Sequence, residues 1–164
     1  EEDDDLVGIF DYIEEKSVRA LLRSPVAMIC SDGLVMEPAD RLDDPSLYWP
    51  CSYGEYPGIL ERYVRDEPVL RLEEAVRKMT SFPAQRFRLF DRGALRPGLR
   101  ADLVVFDLEA VRDRASNLFP HTFPFENIPH AAPEGFGWVV VNGVPVLADG
   151  AQTGELPGRV LRRT

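Results

Sequence analysis

Leu6, Ile9, Phe10 and Ile13 fall at i, i+3, i+4 and i+7, the spacing of one face of an amphipathic helix. Val18, Leu21 and Leu22 continue the pattern into a second short helix. Ser17 is placed to cap its start, and Pro25 to stop it at or before Ser24. Then comes Val26-Ala27-Met28-Ile29-Cys30, a short run without a polar side chain that halts at Ser31-Asp32-Gly33. A fully apolar run after a helix predicts a buried parallel strand, and the pair predicts an α/β unit. Cys30 on such a strand reads as a small core residue.

From Leu34 to Pro57 the periodicity breaks. Pro38, Pro45, Pro50, Gly54 and Pro57 punctuate a stretch that also holds Tyr48, Trp49, Tyr53 and Tyr56. A loop of this length is usually functional. Helical spacing returns at Ile59, Leu60, Tyr63 and Val64, and again after Pro68 at Leu72, Ala75, Val76 and Met79, with Pro83 closing the helix or a tight turn. After about Arg92 the pattern turns to β. Ala101 to Asp107 predicts a strand. Trp138 to Val141 and Val144 to Leu147 flank Asn142-Gly143, a two-residue hairpin connection suited to the positive φ of a type I′ turn. Pro145 points to an edge position. Asp102 is expected to bond turn amides near Gly98, and Phe119 to Pro133 reads as irregular.

Composition sets limits on partners. Of 164 residues, 45% are hydrophobic and 29% charged, which supports a globular core. The net charge of −9 argues against a nucleic-acid or anionic-membrane partner, and Arg159, Arg162 and Arg163 at the end do not reverse it. No apolar stretch approaches the roughly 20 residues of a membrane span, and the opening residues lack a signal-peptide pattern. Two cysteines make no disulfide framework, so the expected compartment is the cytoplasm. The chain opens on Glu1, and the expectation is a mature form or a part of a longer protein. Glu1 to Asp5 suits a helix start or a solvated acidic end.

The order of these pieces resembles a known family. Ser31-Asp32-Gly33 after an apolar run resembles the end of the last barrel strand in the amidohydrolase superfamily. Tyr53-Gly54-Glu55-Tyr56-Pro57, Leu72 to Thr80, Pro83-Ala84-Gln85-Arg86, Gly98 to Asp107, Val141 to Val146 and Pro157 to Leu161 are similar, in that order, to D-aminoacylases (N-acyl-D-amino-acid deacylases). The resemblance implies an α/β fold: the C-terminal portion of a (β/α)8 metal-dependent hydrolase barrel, followed by strands of a small β-sandwich domain. Residues 1–90 would hold the last barrel strand and its flanking helices, and residues 91–164 the small β-rich domain. It further implies zinc, one or two ions, with most ligands upstream of this chain. The implied partners are a small-molecule amide substrate and the N-terminal part of the same protein. A homo-oligomer would cover the apolar faces left open. This stretch alone is expected to be inactive.

Asp32 is the candidate catalytic residue and candidate metal ligand. A carboxylate at the C-terminal end of a barrel strand faces the mouth of the barrel, where it takes a proton from water and passes it to a leaving amine. Gly33 would let the backbone turn there. The competing reading is an aspartate that merely begins a turn. Ser31, Arg41, Trp49 and Tyr53 are the candidate substrate-binding residues. Relatives usually carry His-Pro-Arg before Tyr-Gly-x-x-Pro, whereas Trp49-Pro50-Cys51 stands here. Arg41 could supply the carboxylate-pairing guanidinium from elsewhere in the loop. The aromatic residues could wall a pocket, or simply pack the loop down. His121 and His130 fit no common zinc spacing. Two other functions stay open. One is a cyclic-amide hydrolase of the hydantoinase or dihydropyrimidinase type, and the other is a non-catalytic scaffold or interaction module.

Overall fold

The computed structural model describes residues 13–33, 51–115 and 133–161, with the side chains of residues 51–53 excepted. Helix α1 spans Glu15–Arg23, α2 Cys51–Gly58, α3 Leu72–Met79 and α4 Ser81–Arg86. A π-helical segment, Ile59–Asp66, continues α2. Four strands follow: β1 Leu103–Phe106, β2 Phe136–Val141, β3 Val144–Ala148 and β4 Ala151–Gln152. They form one antiparallel sheet in the order β1-β2-β3-β4. Among the described residues no barrel closes and no second sheet lies against this one. No described helix is long and apolar enough to cross a membrane.

Helix α1 forms where its apolar spacing places it, but it starts earlier than Ser17. Its flanking residue is Glu14, whose carbonyl accepts from the Ser17 amide (2.8 Å). It ends at Ser24 before Pro25, as the restriction on a residue preceding proline requires. Its inward residue is Leu22, while Leu21 faces solvent.

The stretch expected as loop up to Pro57 contains helix α2, so that reading is corrected. Pro57 lies inside the helix and has no N–H to give the Tyr53 carbonyl, and its ring crowds that carbonyl. The helix widens immediately afterwards into the π-helical turn, a common response to a broken i→i−4 ladder. Glu67 N–H closes the segment on the Arg62 carbonyl five residues back (2.7 Å). Ile59, Leu60, Tyr63 and Val64 bury the face that their spacing defines. With Leu22, Ile29, Leu70, Ala75 and Val111 they form the core. Pro83 lies within α4 rather than ending α3.

Among the described residues the run from Val26 to Cys30 pairs with no strand and is largely exposed. Val26 is 80% exposed and Cys30 is exposed, while Ile29 alone enters the core at 8%. A parallel strand is defined by neighbours, and among the described residues none pairs with this run. What holds it is Lys78. This side chain is fully buried and its ammonium donates to the carbonyls of Ser24 and Ala27 (2.9 Å to the latter). The Lys78 carbonyl in turn accepts from Ile29 N–H (3.2 Å). Glu74 stands 3.8 Å from the same ammonium. Replacing Lys78 with methionine keeps most of the stem but leaves two carbonyls without a donor, and it also relieves the burial of a charge. The net loss of stability is expected to be about 2 kcal/mol. A urea midpoint unchanged from the parent would show that water serves those carbonyls equally well.

The hairpin is as its sequence foretells. Asn142 and Gly143 take φ of 51° and 84°, and Val141 pairs with Val144 across the turn. Asp102 has the structural role expected of it, with a different partner. One oxygen accepts from Asn142 N–H (2.7 Å) and the other from Arg92 (2.6 Å), so it secures the hairpin turn and not the turn at Gly98. Strand β3 is flanked by β2 and β4, but β4 reaches only Leu147 and Ala148. Pro145 therefore lies beyond the end of β4, where its lack of an N–H costs no ladder bond. Phe106 and Phe136 meet at 5.9 Å between ring centroids and pack toward the core.

Candidate active site

Asp32 ends the stretch that Lys78 anchors. Its backbone is left-handed, φ 48°, a conformation that aspartate tolerates better than most residues. The sharp turn assigned to Gly33 therefore falls on Asp32 itself. Gly33 N–H donates to Ser31 Oγ (3.1 Å), which fixes the serine beneath the turn. The Asp32 side chain is exposed, with no hydrogen-bond or ion-pair partner among the described residues. A carboxylate in that state is free to accept a proton or orient a water molecule.

Ser31 does more than support the turn. Its side chain neighbours Tyr56 on α2 and favours the ionised form of that phenol. Burial pushes the Tyr56 hydroxyl above its ordinary range, and the neighbouring Cys30 and Glu55 add to the effect, while Ser31 opposes it. Tyr56 thus remains a neutral hydroxyl at neutral pH. Sequence reasoning counted Tyr56 among the crowded aromatics without singling it out. Its position three residues after Tyr53 becomes informative only once α2 is known to be helical. Tyr53 lies on α2, three residues from Tyr56, and its side chain is outside the described residues. Arg41, Trp49, His121 and His130 also lie outside them.

Helix α2 is held from its other side by Asp113. A β-carbon on Gly54 would meet the Asp113 carboxylate far inside van der Waals contact, 2.8 Å from Cγ, and Gly58 faces the same group. The Asp113 amide donates to Glu61 (2.6 Å), and its carboxylate accepts from Ala115 N–H (3.0 Å). Arg65 pairs with Glu61 (3.1 Å) and donates to the carbonyls of Val111 (2.6 Å) and Leu108. Burial raises the Asp113 carboxyl above its ordinary value and nearby Glu61 adds to this, against the pull of the Ala115 amide. Burial likewise raises Glu55, with Asp113 contributing.

A carboxyl whose value is raised on folding contributes stability that is fully present below its unfolded value and is lost as pH rises through the folded one. Asp113→Asn preserves the acceptor for Ala115 and removes the titration. Its stability relative to the parent is expected to improve steadily as pH climbs from 3.8 toward neutrality. Denaturant midpoints of the two proteins that keep a constant gap between pH 3.5 and 7 would contradict this.

A metal site was implied by the sequence resemblance. Among the described residues no group of three or more His, Cys, Asp and Glu side chains is arranged to hold a metal ion. The described residues do not by themselves fit a zinc site. Asp32 supplies one carboxylate, and among the described residues no second ligand is assembled beside it.

Residues 9–147 match the model of the amidohydrolase family, and the chain belongs to that family. It is similar to a D-aminoacylase of Alcaligenes xylosoxydans xylosoxydans, 41% identical over 157 residues, which cover 96% of this chain and 29% of that protein. Among solved structures it is similar to a D-aminoacylase, with a TM-score of 0.72 and 37% identity over 92% of this chain and 28% of that one. It is also similar to N-acyl-D-glutamate deacylase from Bordetella bronchiseptica, complexed with zinc and a phosphonate mimic of the tetrahedral intermediate. There the TM-score is 0.64 and the identity 36%, over 85% of this chain and 27% of that one. The chain therefore spans under a third of the length of these relatives.

Proposed function

We propose that this chain is the C-terminal part of an amidohydrolase that cleaves the amide bond of N-acyl-D-amino acids. In this reading Val26 to Gly33 is the last strand of a (β/α)8 barrel, and β1 to β4 belong to a small β domain. Zinc is the cofactor, with most of its ligands outside these residues. The supporting observation is the carboxylate of Asp32, exposed and without a partner among the described residues at the end of an anchored stretch within the family match. The proton path runs through this side chain. Asp32 takes a proton from the attacking water as the new carbon–oxygen bond forms, and returns it to the nitrogen as the carbon–nitrogen bond breaks. Ser31 anchors the same turn, its hydroxyl accepting from Gly33 N–H. Arg41, Trp49 and Tyr53 remain the candidates for the substrate's carboxylate and side chain.

The test is a graft. Residues 1–164 replace the matching stretch of the Alcaligenes D-aminoacylase, and the purified chimera is assayed for release of D-amino acids from their N-acetyl derivatives. Turnover above that of the same enzyme lacking the stretch is expected. A chimera that melts cooperatively, retains zinc and shows no turnover would refute the proposal.

A further inference from the structure

Positive charge in this acidic chain is unevenly placed. A cleft of about 540 Å³ opens where the turn after α4, the Gly98 turn, Asn142 and residues 159–161 meet. Its lining includes Arg88, Arg92, Arg100 and Arg159 against one acid, Asp91. The cleft thus has a surplus of three positive charges, whereas the chain as a whole has a net charge of −9. The four arginines are not equivalent. Arg92 and Arg100 each lie 3.3 Å from Asp91, and Arg92 also pairs with Asp102, so these two are already oriented by carboxylates. Arg88 and Arg159 have no side-chain partner among the described residues. Arg88 is moreover held at φ 61°, an uncommon conformation for arginine, in the turn that places it on the rim. Asp32, Ser31 and Tyr56 do not line this cleft.

We propose that this cleft binds a small dianionic oxyanion, a phosphate or a dicarboxylate, between Arg88 and Arg159. The guanidinium group offers a planar fork of N–H donors matched to two oxygens of such a group, and two free forks suit two negative charges. The pairs at Asp91 and Asp102 orient Arg92 and Arg100 in the same lining, so the cleft is partly organised before a ligand arrives. Exposed Phe90 and Val160 on the walls leave room for an apolar body attached to the anion. The inference stands on the cleft alone and does not depend on the proposed hydrolase activity.

The experiment uses the full-length protein that carries these residues. Inorganic phosphate and, separately, succinate are titrated calorimetrically at fixed ionic strength, with sodium chloride as the control. Saturable binding of at least one dianion, absent with chloride, is expected. Arg88→Gln and Arg159→Gln should each weaken it about tenfold or more, since each removes charge-assisted hydrogen bonds. Arg23→Gln, at the far end of α1, should leave it unchanged. Thermal melts without anion confirm that each variant is folded, and should one variant fail to fold the other decides. Binding of phosphate alone or succinate alone upholds the site and names its source. Heat no greater than with chloride, or affinity retained in the folded Arg88 or Arg159 variant, would overturn the proposal.

Discussion

Substituting Gly135 with alanine is expected to be the most damaging small change in the chain. Gly135 sits just before β2 at φ 87°, and a β-carbon there would lie 2.5 Å from the Val111 nitrogen and 2.7 Å from the Val111 Cα. These are backbone atoms of a residue that is wholly buried. They are also tied down, because Val111 N–H donates to the Asp107 carbonyl and its carbonyl accepts from Arg65. The Gly135 carbonyl meanwhile accepts from Asp107 N–H (2.9 Å), so neither side can retreat without breaking a bond. Left-handed alanine and the overlap together are expected to cost about 3 kcal/mol, a large share of a domain's stability. Gly143→Ala makes the comparison sharp. Its φ is 84°, but nothing lies within 4 Å of its added carbon, so only the backbone cost of about 1 kcal/mol applies. Chemical denaturation of both variants measures the gap. Equal midpoints would mean that the Val111 backbone yields.

In an active graft, Asp32→Asn is expected to lower kcat by about 10²–10⁴-fold, the usual share of a positioned proton carrier. Asparagine is the apt replacement because it accepts the left-handed backbone that Asp32 adopts, leaving the turn intact. KM should move far less, since the substrate contacts proposed here belong to other residues. Turnover by the Asn variant within about tenfold of the parent would remove Asp32 from the proton path.

What the sequence disclosed follows the range of the interaction involved. The buried faces at Ile59 to Val64, the helix at Leu72 to Met79 and the Asn142-Gly143 hairpin rest on neighbours in the chain, and each is found. Their finer detail was less legible. Val76, expected on the buried face of α3, is exposed, while Lys78 occupies the interior. A lysine in a helical pattern reads as solvent-facing. Only the carbonyls of Ser24 and Ala27, some fifty residues away, make its burial tolerable. Val26 to Cys30 illustrates the reverse. Its composition asks for neighbours on both sides, and composition cannot say whether they are within the chain. Helix α2 was hidden by its own proline and two glycines. The glycines are there because Asp113 packs against them, a reason that lies in a distant segment. At the candidate site the proximity of Tyr56 to Ser31 was not legible, because it joins α2 to a stretch some twenty-five residues earlier in the chain.

One ammonium group joins the end of α1, the approach to Asp32 and α3. These three pieces therefore have little freedom to loosen one at a time. Segments linked through a shared buried charge open together, since releasing any one of them strands that charge without its acceptors. The turn bearing Asp32 faces solvent, yet it follows directly on a stretch tied to the interior.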